Sequence, residues 1–188
     1  KKGQKLDIAV DPLEGTNFVA NNLPNSFSMM AATEQNNLFF APDTYMEKIA
    51  IGSNLPKNLV DLDNSTEENI SLLADAKGRK PSDLTVCVLE RSRHNKIISS
   101  LKKMNVNLKL ISDGDVSGII NVVDSNSPVD MYMGVGGGPE GVLAAAALSC
   151  YGGQIQTRLV LNSEEIVRAK KMGITDLKKK YNIDDMIK

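Results

Sequence analysis

Short apolar runs alternate with amphipathic stretches along this chain, and turn residues punctuate them. Leu6 to Val10 alternates apolar and polar positions and then turns polar, as a short strand running into a loop does. Ser26 to Thr33 and Leu38 to Phe40 read as a hairpin pair around Glu34-Gln35-Asn36-Asn37, while Met46 to Ile51 is ambiguous between helix and strand. The Pro-, Asn- and Asp-rich stretch from Asn54 to Asn64 is the best linker. Ser65, followed by Glu67 and Glu68, opens a helix to about Lys77, with Gly78 as its stop. Beyond it the pattern predicts strands over 84–89, 106–111, 129–133 and 154–161. It predicts helices over 92–104, 116–123, 139–150 and 163–172, the second capped by Asp113 and Asp115. Glycines separate the strand ending at Met133 from the apolar helix that follows. Such β-α alternation argues for α/β layers around a largely parallel or mixed sheet.

Composition narrows the class. At 188 residues, 41% hydrophobic and 24% charged, the chain fits one domain or a large part of one, with enough apolar material for a core. Its 22 basic against 23 acidic side chains carry no bulk positive charge that would draw it to nucleic acid or a membrane surface. No apolar run reaches the roughly 18–20 residues needed to span a bilayer, and no signal-peptide core follows the basic start Lys1-Lys2-Gly3-Gln4-Lys5. Cys87 and Cys150 lie in apolar stretches and read as reduced, buried small hydrophobes of a cytoplasmic protein. With one histidine, His94, to join them, the composition argues strongly against a zinc site. The lack of an initiator methionine and the immediate first strand make a fragment of a larger protein the expectation.

Four constellations could carry chemistry. Asp11-Pro12-Leu13-Glu14-Gly15-Thr16 follows a predicted strand. Proline and glycine shape a turn from which both carboxylates can point to one side. Crowded carboxylates suit a hard cation such as Mg²⁺ or Mn²⁺, with Thr16 near a bound water and the backbone N–H groups of Gly15 and Thr16 near a phosphate. The same residues also read as a plain capped turn. Gly134-Val135-Gly136-Gly137-Gly138-Pro139-Glu140-Gly141 contains a formal dinucleotide fingerprint at Gly136, Gly138 and Gly141. Glu140 then falls where a pyrophosphate should lie, so a metal-bridged phosphate fits better than a bare one. Arg91-Ser92-Arg93-His94, at a strand end, could grip a phosphate, or be a solvated helix start with His94 at the surface or as a cap. Ser112-Asp113-Gly114-Asp115 could accept from sugar hydroxyls or cap the next helix. Tyr45 could stack on a ligand or be simply half-buried, and Lys178-Lys179-Lys180 reads as a solvated face. Together, carboxylates for cations, arginines for phosphate and aspartates for hydroxyls make the inventory of a sugar phosphatase.

At these residues the sequence resembles class II (GlpX-type) fructose-1,6-bisphosphatase, of the lithium-sensitive, metal-dependent phosphatase superfamily. The superfamily likeness rests on Asp11-Pro12-Leu13-Glu14-Gly15-Thr16. The narrower one rests on Ala41-Pro42-Asp43-Thr44-Tyr45-Met46-Glu47-Lys48, on Ser112-Asp113-Gly114-Asp115 and on Gly136-Gly137-Gly138-Pro139-Glu140-Gly141, and it runs from about Leu6 to about Gly173. The resemblance implies an α/β, layered, sugar-phosphatase-like sandwich of mixed sheets and helices. Residues 1–64 would carry the acidic metal turn, and residues 65–188 the sugar-phosphate and Glu140 sites. It implies hydrolysis of the 1-phosphate of fructose 1,6-bisphosphate to fructose 6-phosphate in gluconeogenesis, by in-line attack of a metal-activated water.

Carried over residue by residue, Asp11, Glu14 and Glu140 would ligate Mn²⁺ or Mg²⁺, and Glu14 and Thr16 would serve catalysis. Glu14, Gly15, Thr16, Tyr45, Arg91, Ser92, Arg93, Asp113, Gly114, Asp115 and Gly137 would contact substrate. A homodimer or tetramer is implied as well. The family pattern has further acidic ligands in an N-terminal part that this sequence lacks, a C-terminal stretch beyond the region of Ile187, and a longer connection between Leu161 and Ser163. Alternatives are action on sedoheptulose 1,7-bisphosphate, an inositol monophosphatase, a non-catalytic sugar-phosphate module and an NAD-binding oxidoreductase. The chain's lack of tryptophan argues against the inositol monophosphatase.

Overall fold

The computed structural model describes residues 3–188, and the basic start at Lys1 and Lys2 lies outside them. In chain order the regular elements are β1 (Leu6–Glu14), α1 (Thr16–Ala20), β2 (Phe27–Glu34), β3 (Tyr45–Ile51) and α2 (Thr66–Lys77). Then come β4 (Thr85–Leu89), α3 (Asn95–Lys103), β5 (Asn107–Ile111), α4 (Asp115–Ile120) and β6 (Met131–Gly137). The last are α5 (Gly138–Tyr151), β7 (Gln154–Val160), α6 (Ser163–Lys171), β8 (Lys180–Tyr181) and α7 (Ile183–Met186).

A six-stranded sheet in the order β5-β4-β6-β3-β7-β8 forms the centre, and β1 pairs antiparallel with β2 as a separate ribbon. Strands β5, β4 and β6 are parallel, whereas β3, β7 and β8 run antiparallel to their neighbours, so the sheet is mixed. Helices α2 and α3 cover one face, where Ile70, Leu73 and Leu101 pack on Ile49, Val86 and Met131. Helices α4 and α5 cover the other, and the ribbon lies over α5 through Ala9, Met29 and Ala31. Helix α5 is apolar almost all round because it is enclosed on two sides, with Ala144 and Ala145 fully buried and small enough for close packing. The outcome is the layered α/β arrangement expected from the β-α alternation.

Local signals explain most boundaries. Ser65 and Glu68 exchange side-chain and backbone hydrogen bonds in a capping box at the start of α2, and Gly78 ends it in the left-handed region at φ 60°. No regular element lies between β3 and α2, as the linker reading expected. Met46 to Ile51 resolves as strand, because β6 and β7 flank it on both edges.

Several expectations fail for physical reasons. Leu38 to Phe40 is not the second arm of a hairpin: β2 pairs with β1, while Leu38 bridges Ile187 and Phe39 stacks on Tyr181 with ring centres 4.6 Å apart. The Asp7 carboxylate accepts from the Asn37 and Leu38 N–H groups at the point where the chain turns away. The glycines do not follow the strand; Gly134, Gly136 and Gly137 are inside β6, opposite Lys48, Met46 and Tyr45 of β3. Neither Asp113 nor Asp115 caps α4, whose N-cap position is taken by Gly114 with no side-chain cap and whose first residue is Asp115. Cys87 is buried, but Cys150 is exposed. Lys180 is not simply solvated: its ammonium reaches both Asp61 oxygens at 2.6 and 2.7 Å and Asp63 at 2.7 Å.

Candidate active site

The parallel strands β4, β5 and β6 end at one edge of the sheet, where open α/β sheets place their ligands. Arg91 follows β4, Asp113 follows β5 and Glu140 follows β6, while Tyr45 at the start of β3 stands opposite Gly137. The parallel ladder between β4 and β6 covers only Val86↔Met131 and Cys87↔Tyr132; past it the two strands lose their shared bonds. A crevice at this edge therefore follows from topology.

The ribbon brings the first acidic turn to the same edge. The β1–β2 register shifts between Asp11 and Glu14, which lifts Pro12-Leu13 out of the ladder. The Leu13 N–H donates to Asp11 at 3.0 Å, and the Ser26 hydroxyl donates to the Glu14 carbonyl at 2.8 Å, fixing the turn on both sides. Gly15 takes φ 76° and Gly114, at the second acidic turn, φ 84°. A Cβ at either would press on Phe18, the buried ring wedged beneath both turns.

The two acidic turns, about a hundred residues apart in sequence, are hydrogen-bonded to each other. The Val116 N–H donates to the Glu14 carboxylate at 2.7 Å, and the Asn17 N–H donates to the Asp113 carboxylate at 2.9 Å. Glu14 is thus buried beside Asp11 and Asp115. Burial first, then the Asp11 carboxyl, push its pKa up to about 7 against the pull of the Val116 N–H, and the Asp115 charge adds to the rise.

Asp115 is itself buried, and both of its oxygens are engaged, one by the Lys48 ammonium and the other by the Tyr132 hydroxyl. Lys48 is only 1% exposed. The glycines of β6 and α5 make room for these charges: a Cβ at Gly136 would overlap the Asp115 carboxylate, at Gly137 the Glu140 carboxylate, and at Gly141 Met46 and the Lys48 stem. The apparent dinucleotide fingerprint is therefore a cradle for charged side chains.

On the other side of the crevice, Arg93 donates through Nε and Nη2 to the Val135 carbonyl at 3.0 and 2.7 Å. Its guanidinium lies 5.0 Å over the ring of Tyr45, which is 53% exposed. Arg91 stands 3.8 Å from Asp113. Ser92 and Thr16 are exposed at the same edge, and Glu140 is half-buried in the first turn of α5. His94, read as a surface or capping residue, does stand at the N-cap position of α3, but its ring is fully buried between β4 and β6 and makes no capping bond.

The structure thus joins Asp11, Glu14, Asp113 and Asp115 in one buried-to-half-buried acidic group, and Tyr45 and Arg93 in a second group. Hard carboxylate oxygens crowded together and partly desolvated suit a hard divalent cation in kind. In number they fall short of a complete set: among the described residues, no group of three or more His, Cys, Asp or Glu side chains stands close enough to hold a metal ion. A half-open cavity of about 520 Å³, lined by Leu55, Lys57, Gln154 and Asn182, opens at the opposite end of the strands and shares no residue with this edge. Lys48, Tyr132, His94 and Phe18 were missed as site-building residues. The one signal available for Lys48 is a lone lysine on the Met46–Ala50 face of an otherwise apolar run.

The model of the family described as "Bacterial fructose-1,6-bisphosphatase, glpX-encoded" matches residues 1–188. The chain belongs to this family. Relatives in Microcystis aeruginosa and Synechocystis sp. are each 37% identical over 195 residues, covering 97% of this chain and 56% of their own length. Both are named D-fructose 1,6-bisphosphatase class 2/sedoheptulose 1,7-bisphosphatase. A relative in Haemophilus influenzae, named fructose-1,6-bisphosphatase class 2, is 41% identical over 162 residues, covering 86% of this chain and 48% of its own length. The chain spans about half the length of the curated relatives it matches. No helix among the described residues is long and apolar enough to cross a membrane.

Proposed function

We propose that this chain carries the phosphate- and sugar-binding edge of a metal-dependent phosphatase acting on the 1-phosphate of fructose 1,6-bisphosphate. The observation that carries this reading is the pair of hydrogen bonds locking the Asp11–Thr16 turn to the Asp113–Asp115 turn, in a chain that belongs to the glpX-encoded family. That lock brings Asp11 and Glu14 beside Asp113 and Asp115, with Arg91, Arg93 and Tyr45 at the same sheet edge.

In this reading Arg91 and Arg93, flanking Ser92, bind substrate phosphate, and Tyr45 packs against the sugar. Asp113 and the Gly114 backbone receive sugar hydroxyls, Asp115 holds that turn from beneath with both oxygens taken by Lys48 and Tyr132, and Gly137 lets the ligand approach the β6 backbone. The N–H groups of Gly15 and Thr16 meet the reacting phosphoryl oxygens. The Thr16 hydroxyl orients the attacking water, and Glu14 accepts its proton. Asp11, Glu14 and Glu140 would give part of the ligand set of a divalent cation, Mn²⁺ or Mg²⁺, which would supply charge neutralisation at the transferred phosphoryl and the leaving oxygen. The products are fructose 6-phosphate and inorganic phosphate.

A second substrate, sedoheptulose 1,7-bisphosphate, is favoured by the names of the cyanobacterial relatives. Phosphate release from both sugars, with Mn²⁺ and with chelator, tests the proposal. Metal-dependent release that Glu140→Gln abolishes is the expected result. Release insensitive to chelator and to Glu140→Gln would overturn the assignment.

A further inference from the structure

Where β4 and β6 part company, a backbone N–H on β6 needs a new partner. Their ladder ends at Cys87↔Tyr132, yet β6 continues to Gly137 on the strength of its pairing with β3 alone. On the edge that β4 has vacated, the Val135 N–H donates to His94 Nε2 at 2.8 Å. His94 Nδ1 lies 2.7 Å from the Leu89 carbonyl, the last residue of β4. The imidazole therefore replaces the missing rung between the two strands.

The proton assignment follows from the partners. An N–H can only donate, so Nε2 accepts and carries no proton; a carbonyl can only accept, so Nδ1 carries the proton and donates. The ring is neutral and its orientation is fixed. Burial first holds its pKa below the usual histidine value, and the Arg93 charge acts in the same direction. Gly134 permits the arrangement, since a Cβ there would stand 3.3 Å from His94 Cε1 and 3.2 Å from the Tyr132 hydroxyl.

The same residue, Val135, holds Arg93 through its next peptide group. Its N–H is taken by His94, and its carbonyl accepts both Arg93 Nε and Arg93 Nη2. The two peptide groups meet at the Val135 Cα, so freeing the N–H would let the carbonyl swing and release the guanidinium from its place over Tyr45. An exposed arginine otherwise samples many rotamers, and ordering it on binding costs free energy. A residue held on both of its peptide groups removes that cost before the ligand arrives.

We propose that His94 is a positioning residue that clamps Val135 through its N–H and thereby steadies the adjoining carbonyl that presents Arg93 to a phosphate group. The proposal rests on the reading above that Arg93 binds substrate phosphate. His94 touches neither ligand nor reacting atoms; it acts through Val135.

The chain's single histidine makes the test unambiguous. In the folded chain labelled with ¹⁵N-histidine, NMR should show the neutral form protonated at Nδ1, unchanged from about pH 5.5 to 8 around the ordinary histidine value. An Nε2-protonated ring, or titration near the ordinary value, would overturn the clamp, and this measurement needs no variant. Next, the Arg93 Nε–H signal, protected in the parent chain, should lose protection in His94→Leu and keep most of it in His94→Gln. The amide of the glutamine can both donate and accept. Affinity for fructose 1,6-bisphosphate, measured by calorimetry with chelator present, should fall about tenfold in His94→Leu and largely return in His94→Gln, the size expected for one coupled contact.

Arg93→Ala separates the two levels of the argument. If it leaves affinity unchanged while His94→Leu still frees the Arg93 Nε–H, the clamp stands and the phosphate role of Arg93 falls. If Arg93→Ala weakens binding but His94→Leu leaves both the Nε–H and the affinity as they were, the phosphate role stands and the clamp falls. Should His94→Leu fail to fold, Gly134→Ala, which crowds the same ring, should loosen the Arg93 Nε–H; an unchanged signal there would count against the clamp.

Discussion

Lys48 and Lys180 each bring an ammonium group to aspartate, yet only Lys48 does so out of water. Lys48 lies in the middle of the sheet under α5, and its partner Asp115 has a second donor in Tyr132. Lys180 lies at the sheet edge, where it joins Asp61 and Asp63 while Arg158 reaches Glu47 at 2.9 Å and Asp63 as well. The edge network has more members, but its side chains keep contact with solvent; that of Asp63 is 58% exposed. Water and salt weaken each of its pairs, whereas the buried pair keeps nearly its full Coulomb attraction and carries a matching desolvation cost. The number of ion pairs is therefore a poor guide to how much the fold depends on them. Burial decides, and the cluster nearest the candidate site is the one with most at stake.

The sharpest way to break this contrast is Lys48→Met. Removing one member of a buried pair should lower unfolding free energy by about 3–5 kcal/mol, and adding Asp115→Asn should recover much of it. Urea denaturation of the single and double variants checks both; a single-variant loss no larger than that of a surface lysine would end the distinction. Next in size, Gly136→Ala should cost roughly 1–3 kcal/mol, because the new methyl overlaps the Asp115 carboxylate. Asp115→Ser in the same background should relieve it, whereas at Gly78, where a Cβ meets nothing, only the left-handed backbone is strained.

Smaller again, Ser65→Ala removes the side-chain half of the α2 capping box, for a loss of about 1 kcal/mol. Thermal unfolding beside the parent chain measures it.

The edge network gives the smallest effect and a distinct signature. Asp61 is pushed up by partial burial, but Lys180 and neighbouring donors outweigh this and hold its pKa below the usual value. Asp63 is held low by Lys180 and then Arg158. For carboxylates depressed in the folded state, the unfolded chain binds more protons in acid. Their contribution is thus present above the ordinary aspartate range, near pH 4, and is lost as pH falls through the depressed values. Lys180→Ala should flatten that acid limb and little else. Molar salt should shrink the difference between variant and parent, and a salt-independent difference would place Lys180 with Lys48.

The same division governs how much could be read in advance. Elements with their own local signals were legible: the Ser65 cap and Gly78 stop of α2, the apolar run of β4, and the paired carboxylates of Asp11–Thr16, although Asp11 to Glu14 form an irregular end of β1 rather than a loop after a strand ending at Val10. Leu38 to Phe40 was misassigned because its partners, Ile187 and Tyr181, lie at the far end of the chain, and periodicity carries no information about partners. The glycines of β6 looked like a loop because strand propensity is low for glycine, and what overrides it is β3 alongside and charged side chains that need the space. His94 gave no signal at all, since a strand-end histidine followed by a helix has the same sequence pattern whether it faces water or replaces a missing ladder bond.

By itself, then, the sequence determined the α/β class, the order of strands and α-helices between Asn64 and Gly173, though not the short β8 and α7 beyond them, and the acidic and arginine motifs at its strand ends. These follow from local rules of periodicity, capping and turn chemistry, each acting over a few residues. Only the tertiary structure decided that Glu14 meets Val116 and Asn17 meets Asp113, that Lys48 faces Asp115 across the sheet, and that His94 fills the gap between β4 and β6. Those contacts join residues tens to a hundred positions apart, and the desolvation that gives them their strength exists only once the layers have closed.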